Sequence, residues 1–282
     1  GVDSDRDFGQ QGGGGGFAWV LQEGNPLLHP ETANTWTAGF VMTSPFQHPL
    51  ASGMMLAFDW YNIEIEDAIM TFSIDFANFR CFGQVGDPVG IANSPECQLV
   101  PRDQNNGAAL STKLSYDNQA WIKTKGYDIM YNWHFDIAAL GIDIPGSFNV
   151  NLKATVLDTY MTRQSPAVYD VPIEWVGSLG PNLPGTQGGA YDYRLFGTFT
   201  YDNPKHNYSV SLRWRHLPEV WTAGYAEQQA LIANNAAVAA GGSGITLGYT
   251  PTTQIETESY NIFDLSANWD ITDNFSLRGG IT

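Results

Sequence analysis

Long stretches of the chain alternate apolar and polar residues with a period of two, the spacing that sends successive side chains to opposite faces of a β-strand. Phe148, Val150, Leu152, Ala154 and Val156 alternate with Asn149, Asn151, Lys153 and Thr155. Tyr208, Val210, Leu212 and Trp214 alternate with Ser209, Ser211, Arg213 and Arg215. Phe263, Leu265, Ala267, Trp269 and Ile271 oppose Asp264, Ser266, Asn268 and Asp270. After the turn-like "TDN" the pattern resumes with Phe275, Leu277 and Ile281 against Ser276 and Arg278. In the middle of the chain Tyr127, Ile129, Tyr131, Trp133 and Phe135 oppose Asp128, Asn132, His134 and Asp136. Helical periodicity is almost absent, and only Gly224–Ala240 has a helix-forming composition.

These patterns predict an all-β chain with about eight antiparallel strands, at 33–43, 53–68, 119–136, 147–162, 190–202, 207–219, 258–271 and 274–282. Many are longer than the usual globular strand of about five or six residues. They reach the roughly 9–11 residues that a tilted strand needs to cross a bilayer. The connections alternate in length. "SPFQHPLAS", "IAALGIDIPG", "DNPKH" and "TDN" are short, whereas 69–118, 163–189 and 220–257 are long. Short turns at one end and long loops at the other are the asymmetry of outer-membrane barrels. Long loops in a compact domain are otherwise unusual unless they bind something.

Alternation alone fits two solvents. In a soluble sandwich the apolar face is the core, whereas in a membrane barrel it meets lipid and the polar face lines the lumen. Strand length, loop asymmetry and aromatic placement favour the barrel. Trp36, Trp60, Tyr61, Trp121, Trp133, Tyr160, Tyr201, Tyr208, Trp214, Tyr260 and Trp269 lie at or near expected strand ends or in the outer turns of strands. Amphipathic rings at that level suit interfacial girdles.

Composition sharpens the choice. Charged residues are only 15% of the 282, and aromatic residues are 13%, against roughly 25% charge in an ordinary soluble domain. The balance of 29 acidic to 13 basic residues, net −16, repels phosphate and argues against a nucleic-acid partner. No apolar run is long enough for a transmembrane helix, and "GVDSDRDFGQQGGGGG" lacks the basic and apolar regions of a signal peptide. Cys81 and Cys97 lie in one loop-like segment. They are a candidate disulfide in an oxidising compartment, the alternative being two free thiols.

Four stretches resemble one family. "GNPLLHPET", Gly24 to Thr32, with Trp36 and Gly39 after it, resembles the "GNPxLxPExxxxW" lead-in to a barrel strand of TonB-dependent outer-membrane receptors. "LAFDWYNIEIEDAI" (Leu56–Ile69) and "TKGYDIMYNW" (Thr124–Trp133) are similar to the strands that follow it. "YNIFDLSANWDITDNFSLRGGIT" (Tyr260–Thr282) is similar to the penultimate region of those barrels. The resemblance implies about eight strands of a 22-stranded barrel with long extracellular loops and short periplasmic turns. It implies an extracellular loop over 1–32 leading into a partial barrel over 33–282, without the plug domain or the final strand. The family takes up scarce, bulky nutrients such as iron–siderophore complexes, haem, cobalamin or oligosaccharides. Its expected partners are outer-membrane lipid, the N-terminal plug, the inner-membrane TonB energy-coupling complex acting through the plug, and the nutrient. The implied location is the outer membrane of a Gram-negative bacterium.

No enzymatic constellation is present: GxSxG, HExxH, paired CxxC and Walker signatures are all missing, so neither catalytic residues nor a cofactor is expected. His29, His48, His134, His206 and His216 are scattered without metal-ligand spacing. Gly12–Gly16 reads as a flexible loop, since no helix follows to cradle a phosphate. Asp3, Asp5 and Asp7 alternate as in some calcium loops, without the glycine and distal glutamate of an EF-hand. Glu64–Asp67 in "IEIED" reads as a solvated loop edge, with a cation-binding rim as the alternative. Lys153, Arg213, Arg215, Asp264 and Arg278 fall on the polar positions of their strands and are the lumen-facing candidates. Such charges usually pair with one another or with a plug. The loops 69–118, 163–189 and 220–257 are favoured for ligand contact. The rival readings are a passive outer-membrane porin and a soluble all-β binding module.

Overall fold

The computed structural model describes residues 20–71, 112–163, 171–181, 189–242, 246 and 253–282. Eight long strands form one antiparallel meander: β2 (Thr32–Thr43), β3 (Met54–Thr71), β4 (Thr112–Asp136), β5 (Ser147–Arg163), β7 (Tyr193–Asn203), β8 (Tyr208–Leu217), β11 (Tyr260–Thr272) and β12 (Phe275–Ile281). They pair in chain order from β2 to β12. All eight expected strands are present. The largest difference is β4, which starts at Thr112 rather than 119, because the polar run Ser115–Asn118 continues the strand although it reads as a loop.

Smaller elements decorate the meander. β1 (Val20–Glu23) lies within the segment expected to be loop and pairs in parallel with the start of β4. β6 (Ile173–Glu174) pairs back onto β5. β9 (Val220–Trp221) and β10 (Glu256–Thr257) form a separate two-stranded ribbon. Between them runs α1 (Ala223–Ala239), the helix that Gly224–Ala240 predicts.

Four short turns join the strands at one end, and a 3-10 turn over Ile137–Leu140 opens the one between β4 and β5. Gly141 closes that turn with φ 76, a left-handed conformation that is cheap only without a Cβ. Asn207 closes the β7–β8 turn with φ 52, tolerated because Asn visits this region more readily than most residues.

The sheet is a single layer. Among the described residues only eight hydrophobic side chains are buried, and Leu212 and Leu265 remain 37% and 46% exposed. Among the described residues no second sheet covers them, and they build no two-layer sandwich core.

Candidate functional site

The ladder registers sort the side chains into two faces. Row by row, Met42, Leu56, Tyr131, Leu152, Gly197, Trp214 and Phe263 stand side by side across seven strands. The next row is Met54, Trp133, Val150, Phe199, Leu212, Leu265 and Ile281. Phe40 stacks on Phe58 with centroids 5.7 Å apart, and Phe58 lies 5.7 Å from Tyr127. The opposite face carries Asn132, Asn151, Thr198, Arg213 and Asp264 in one row and His134, Asn149, Thr200, Ser211 and Ser266 in another.

The apolar face has a limited height. On β4 it runs from Phe135 to Tyr127 and on β5 from Phe148 to Val156, about nine residues each, the length a tilted membrane strand needs. Aromatic side chains mark its lower edge and hydrogen-bond there. Trp133 Nε1 donates to Leu50 O at 2.7 Å, Tyr201 Oη to Pro145 O at 2.8 Å and Trp269 Nε1 to His206 O at 3.1 Å. A ring with its polar atom on a carbonyl at the rim of an apolar surface is what Trp and Tyr offer at an interface.

Above this band the faces exchange character. On β3 the apolar-face series Met54, Leu56, Phe58, Trp60 continues as Asn62, Glu64 and Glu66, and on β4 it continues as Lys125 and Lys123. Trp121 Nε1 donates to Glu64 Oε1 at 2.8 Å, and Lys123 Nζ lies 4.0 Å from Glu64 Oε2. Lys125 Nζ donates to Asp158 Oδ2 at 2.6 Å, and this bond holds the ammonium pKa above its ordinary value. Asp158 is the extra residue of a bulge, since Lys125 pairs with Thr159 and Gly126 with Leu157. The opposite face turns apolar at the same level, with Tyr61, Ile63 and Ile65 on β3 beside Ile122 on β4 and Leu157 and Tyr160 on β5. "IEIED" lies within β3, as the strand expected over 53–68 implies, with Glu64 and Glu66 on one side and Ile63 and Ile65 on the other. Tyr61 and Tyr160, expected in the girdles, stand on the other face.

That upper apolar surface holds the long connections. Trp175, Ala190 and Ala226 form a buried cluster, with Leu157, Tyr160, Ile173 and Ala223 packed on it. Trp175 Nε1 donates to Thr162 Oγ1 at 2.7 Å in a buried bond. Glu174 Oε1 accepts from Tyr160 N at 2.8 Å, and Trp175 N donates to Tyr160 O at 2.9 Å. Trp221 stacks on Tyr225 of α1 at 4.6 Å. Burial raises the Tyr160 phenol above its ordinary pKa. Parts of two long connections are thus folded over one end of the polar face.

On the polar face the structure brings four of the five charged candidates together. Lys153 and Arg215 stand directly opposite Phe196 on its two flanks. The Arg213 guanidinium lies 5.9 Å from the Phe196 ring centroid. Arg215 Nη2 binds Asp264 Oδ2 at 2.9 Å. Arg278 sits apart, near the short turns, where Nε donates to Asn268 Oδ1 at 2.8 Å. The pairing expected between inward charges is therefore real for Arg215 and Asp264. A hydrogen-bonded chain beside them was missed. It links His134 Nδ1 to Asn149 Oδ1 at 2.7 Å and Asn149 Nδ2 to Asp202 Oδ2 at 3.0 Å. Alternate polar positions in the sequence held the signal, but which strands bring them together is a matter of register.

Among the described residues no group of three metal-ligating side chains occurs. His29 and His48 take part in local loop contacts. His206 donates its backbone N–H to Asn203 Oδ1 at 3.2 Å in the β7–β8 turn, and His216 bonds Asn261 Oδ1 at 3.0 Å on the apolar face. Cys81, Cys97, Asp3, Asp5, Asp7 and Gly12–Gly16 lie outside the described residues.

The lead-in Gly24–Glu31 is tied to the tip of the β3–β4 hairpin. Asn25 Nδ2 donates to Tyr116 O at 3.0 Å, while its Oδ1 accepts Leu27 N at 2.9 Å. Asn118 accepts His29 N at 2.9 Å and donates to His29 O at 2.8 Å and Asp67 O at 2.9 Å.

Comparison with known proteins points the same way. The family model described as "TonB dependent receptor-like, beta-barrel" matches residues 3–282. No curated protein matches the chain. Among solved structures it is similar to the siderophore receptor PirA of Acinetobacter baumannii, at 12% identity and a TM-score of 0.46, over 92% of this chain and 28% of that one. It is also similar to the pyoverdine outer membrane receptor FpvA of Pseudomonas aeruginosa, at 14% identity and a TM-score of 0.45, over 92% and 26%. A third is the FrpB iron transporter of Neisseria meningitidis, at 11% identity and a TM-score of 0.41, over 89% and 26%. The chain spans about a quarter of the length of these structures.

Proposed function

The chain belongs to the TonB-dependent receptor β-barrel family, and we propose that it forms part of the wall of an outer-membrane receptor that takes up a scarce, bulky nutrient. The carrying observation is the uncovered apolar band, about nine residues high on β4 and β5 and exposed at Phe40, Leu212, Phe263 and Leu265, with hydrogen-bonded aromatics at one edge and charged residues at the other. In water such a surface would need a second layer, whereas in a bilayer acyl chains cover it. The polar face then lines the lumen, and Lys153, Arg213, Arg215, Asp264 and Arg278 look into it. The long connections gather at the extracellular mouth.

In this reading residues 1–32 approach the barrel and 33–282 belong to its wall. A plug from elsewhere in the receptor fills the lumen and couples it to the TonB complex. The chain's own residues do no covalent chemistry. They hold the wall, offer polar and aromatic contacts, and pair charges in the lumen. The ligand is an iron–siderophore, haem, cobalamin or an oligosaccharide. The exposed belt alone would equally suit a passive porin; what favours the receptor is the family match.

The test is uptake and conductance of the intact protein. Radiolabelled nutrient should enter cells only while the proton-motive force is maintained, and the purified protein should add little ion conductance to a planar bilayer. Steady ohmic conductance with uptake indifferent to an uncoupler would assign a porin. Recovery of the protein from the soluble fraction without detergent would exclude both.

A further inference from the structure

The short turns at one end of the sheet differ in chemistry. The β7–β8 turn, Pro204–Asn207, and the β11–β12 turn, Asp273–Asn274, are polar. The β4–β5 turn, "IAALGIDIPG", carries one charge, Asp143, and leaves Leu140, Ile142 and Ile144 at 49%, 45% and 48% exposure. The β2–β3 turn is its neighbour, because Met54 pairs with Trp133, and it exposes Phe46 to 66%. Four large apolar side chains thus stand on two adjacent turns. A group of this kind on one end of a protein marks an interaction surface.

Hydrogen bonds fix the side on which these turns lie. Tyr201 is an apolar-face residue, opposite Phe148, and its hydroxyl donates to Pro145 O at 2.8 Å. Trp133, also on the apolar face, donates to Leu50 O at 2.7 Å. Both turns are therefore tied to the lipid-facing side, and the apolar band continues into them without a charged break. Their depth is limited too. Irregular backbone leaves N–H and C=O groups unpaired, which hydrocarbon does not tolerate but the headgroup region does.

We propose that the β4–β5 turn, with Phe46 beside it, inserts into the phospholipid interface at the short-turn end and anchors the barrel there, while the β7–β8 turn stays in water. The inference rests on the membrane reading above. The partner is a zwitterionic phospholipid surface, since the single charge of the turn is negative.

The test places an environment-sensitive thiol label at Ile142→Cys in the intact protein carrying Cys81→Ser and Cys97→Ser. Phe46→Cys is the second site, Lys205→Cys the aqueous control and Leu212→Cys the control in the band. Vesicles of phosphatidylcholine and phosphatidylethanolamine contain a lipid nitroxide near the headgroup or deep in the acyl chain. Labels at 142 and 46 should lose at least half their emission to the shallow nitroxide and little to aqueous iodide, with the reverse at 205. If 142 and 46 behave as 205 does while 212 is quenched by the deep nitroxide, the anchor is overturned and the membrane reading stands. If 212 is also unquenched by either nitroxide, both fall. Shielding of 142 from iodide only after a soluble protein fraction is added would identify a protein partner and overturn the lipid anchor.

Discussion

The Glu31 carboxylate accepts the backbone N–H of Ile69 at 2.5 Å, 38 residues along the chain. Together with the contacts of Asn118 to His29 and Asp67, this bond seats the lead-in segment on the hairpin tip. The two substitutions should differ in cost. Glu31→Gln keeps an acceptor and should lose well under about 1 kcal/mol. Asn118→Ala removes three bonds at an exposed site, where water can take over, and should cost about 1 kcal/mol. Urea unfolding of the intact protein in vesicles measures both. Equal, negligible losses would mean the clasp is ornamental.

Leu152 and Asn151 are chain neighbours on opposite faces of the sheet, so in the proposed bilayer setting one residue of displacement reverses the cost of a charge. Leu152 lies at mid-height of the apolar band on β5, and Leu152→Arg should cost about 2–4 kcal/mol in vesicles, the price of an Arg at the bilayer midplane. Asn151→Arg points with Thr198 and Arg213 and should change stability by well under about 1 kcal/mol. Matching losses would contradict the orientation of the sheet.

Strand identity was legible because each strand keeps its period of two, and the helix because Gly224–Ala240 is rich in Ala. Three things were not. The exchange of faces above Trp60 keeps the same period and changes only which parity is apolar, so Asn62 and Ile63 look like more of the same strand. The roles of Asn25, Glu31 and Asn118 depend on partners 38 to 91 residues away, and no local pattern encodes those. The grouping of Lys153, Arg213 and Arg215 around Phe196 needs the register of three strands. Each residue's face was readable from its own strand; their proximity was not.

Gly126 marks the level at which the faces exchange. A Cβ there would collide with the Val156 carbonyl and the Tyr61 ring. The carbonyl belongs to the neighbouring strand and cannot step aside. Gly126→Ala should destabilise by about 1–3 kcal/mol, the usual cost of overpacking. By contrast Gly279, with open space around its Cβ position, should accept Ala nearly without effect. Folded fractions by heat-modified electrophoretic mobility would separate them.

Tyr160 supplies a pH signature outside the membrane band. Desolvation favours its neutral form and raises its pKa. Its folded pKa lies above the unfolded value of about 10, so the stabilisation is complete below that pH and is lost as pH rises through the folded value. A phenolate absorbance titration should show a late step to which Tyr160 contributes one phenol, and Tyr160→Phe should lower its amplitude by that one phenol. If the late amplitude is unchanged by the substitution, the packing of Trp175 and α1 over Tyr160 is not what the structure describes.

The bond from Trp175 to Thr162 separates the mouth from the wall. Thr162 is 3% exposed and Trp175 is 3% exposed, so losing the acceptor leaves a buried indole N–H with no water to turn to. Thr162→Val should cost about 1–3 kcal/mol, and Thr162→Ser, which keeps the oxygen, should restore most of it. The loss should be local. Trp175, Ala190 and Ala226 hold parts of two long connections together, whereas the β4–β5 ladder is closed by its own backbone bonds. Protease should therefore cut Thr162→Val faster within 171–190, with the barrel's resistance to detergent unchanged. Cleavage spread evenly over the chain would instead tie the mouth cluster to the stability of the whole sheet.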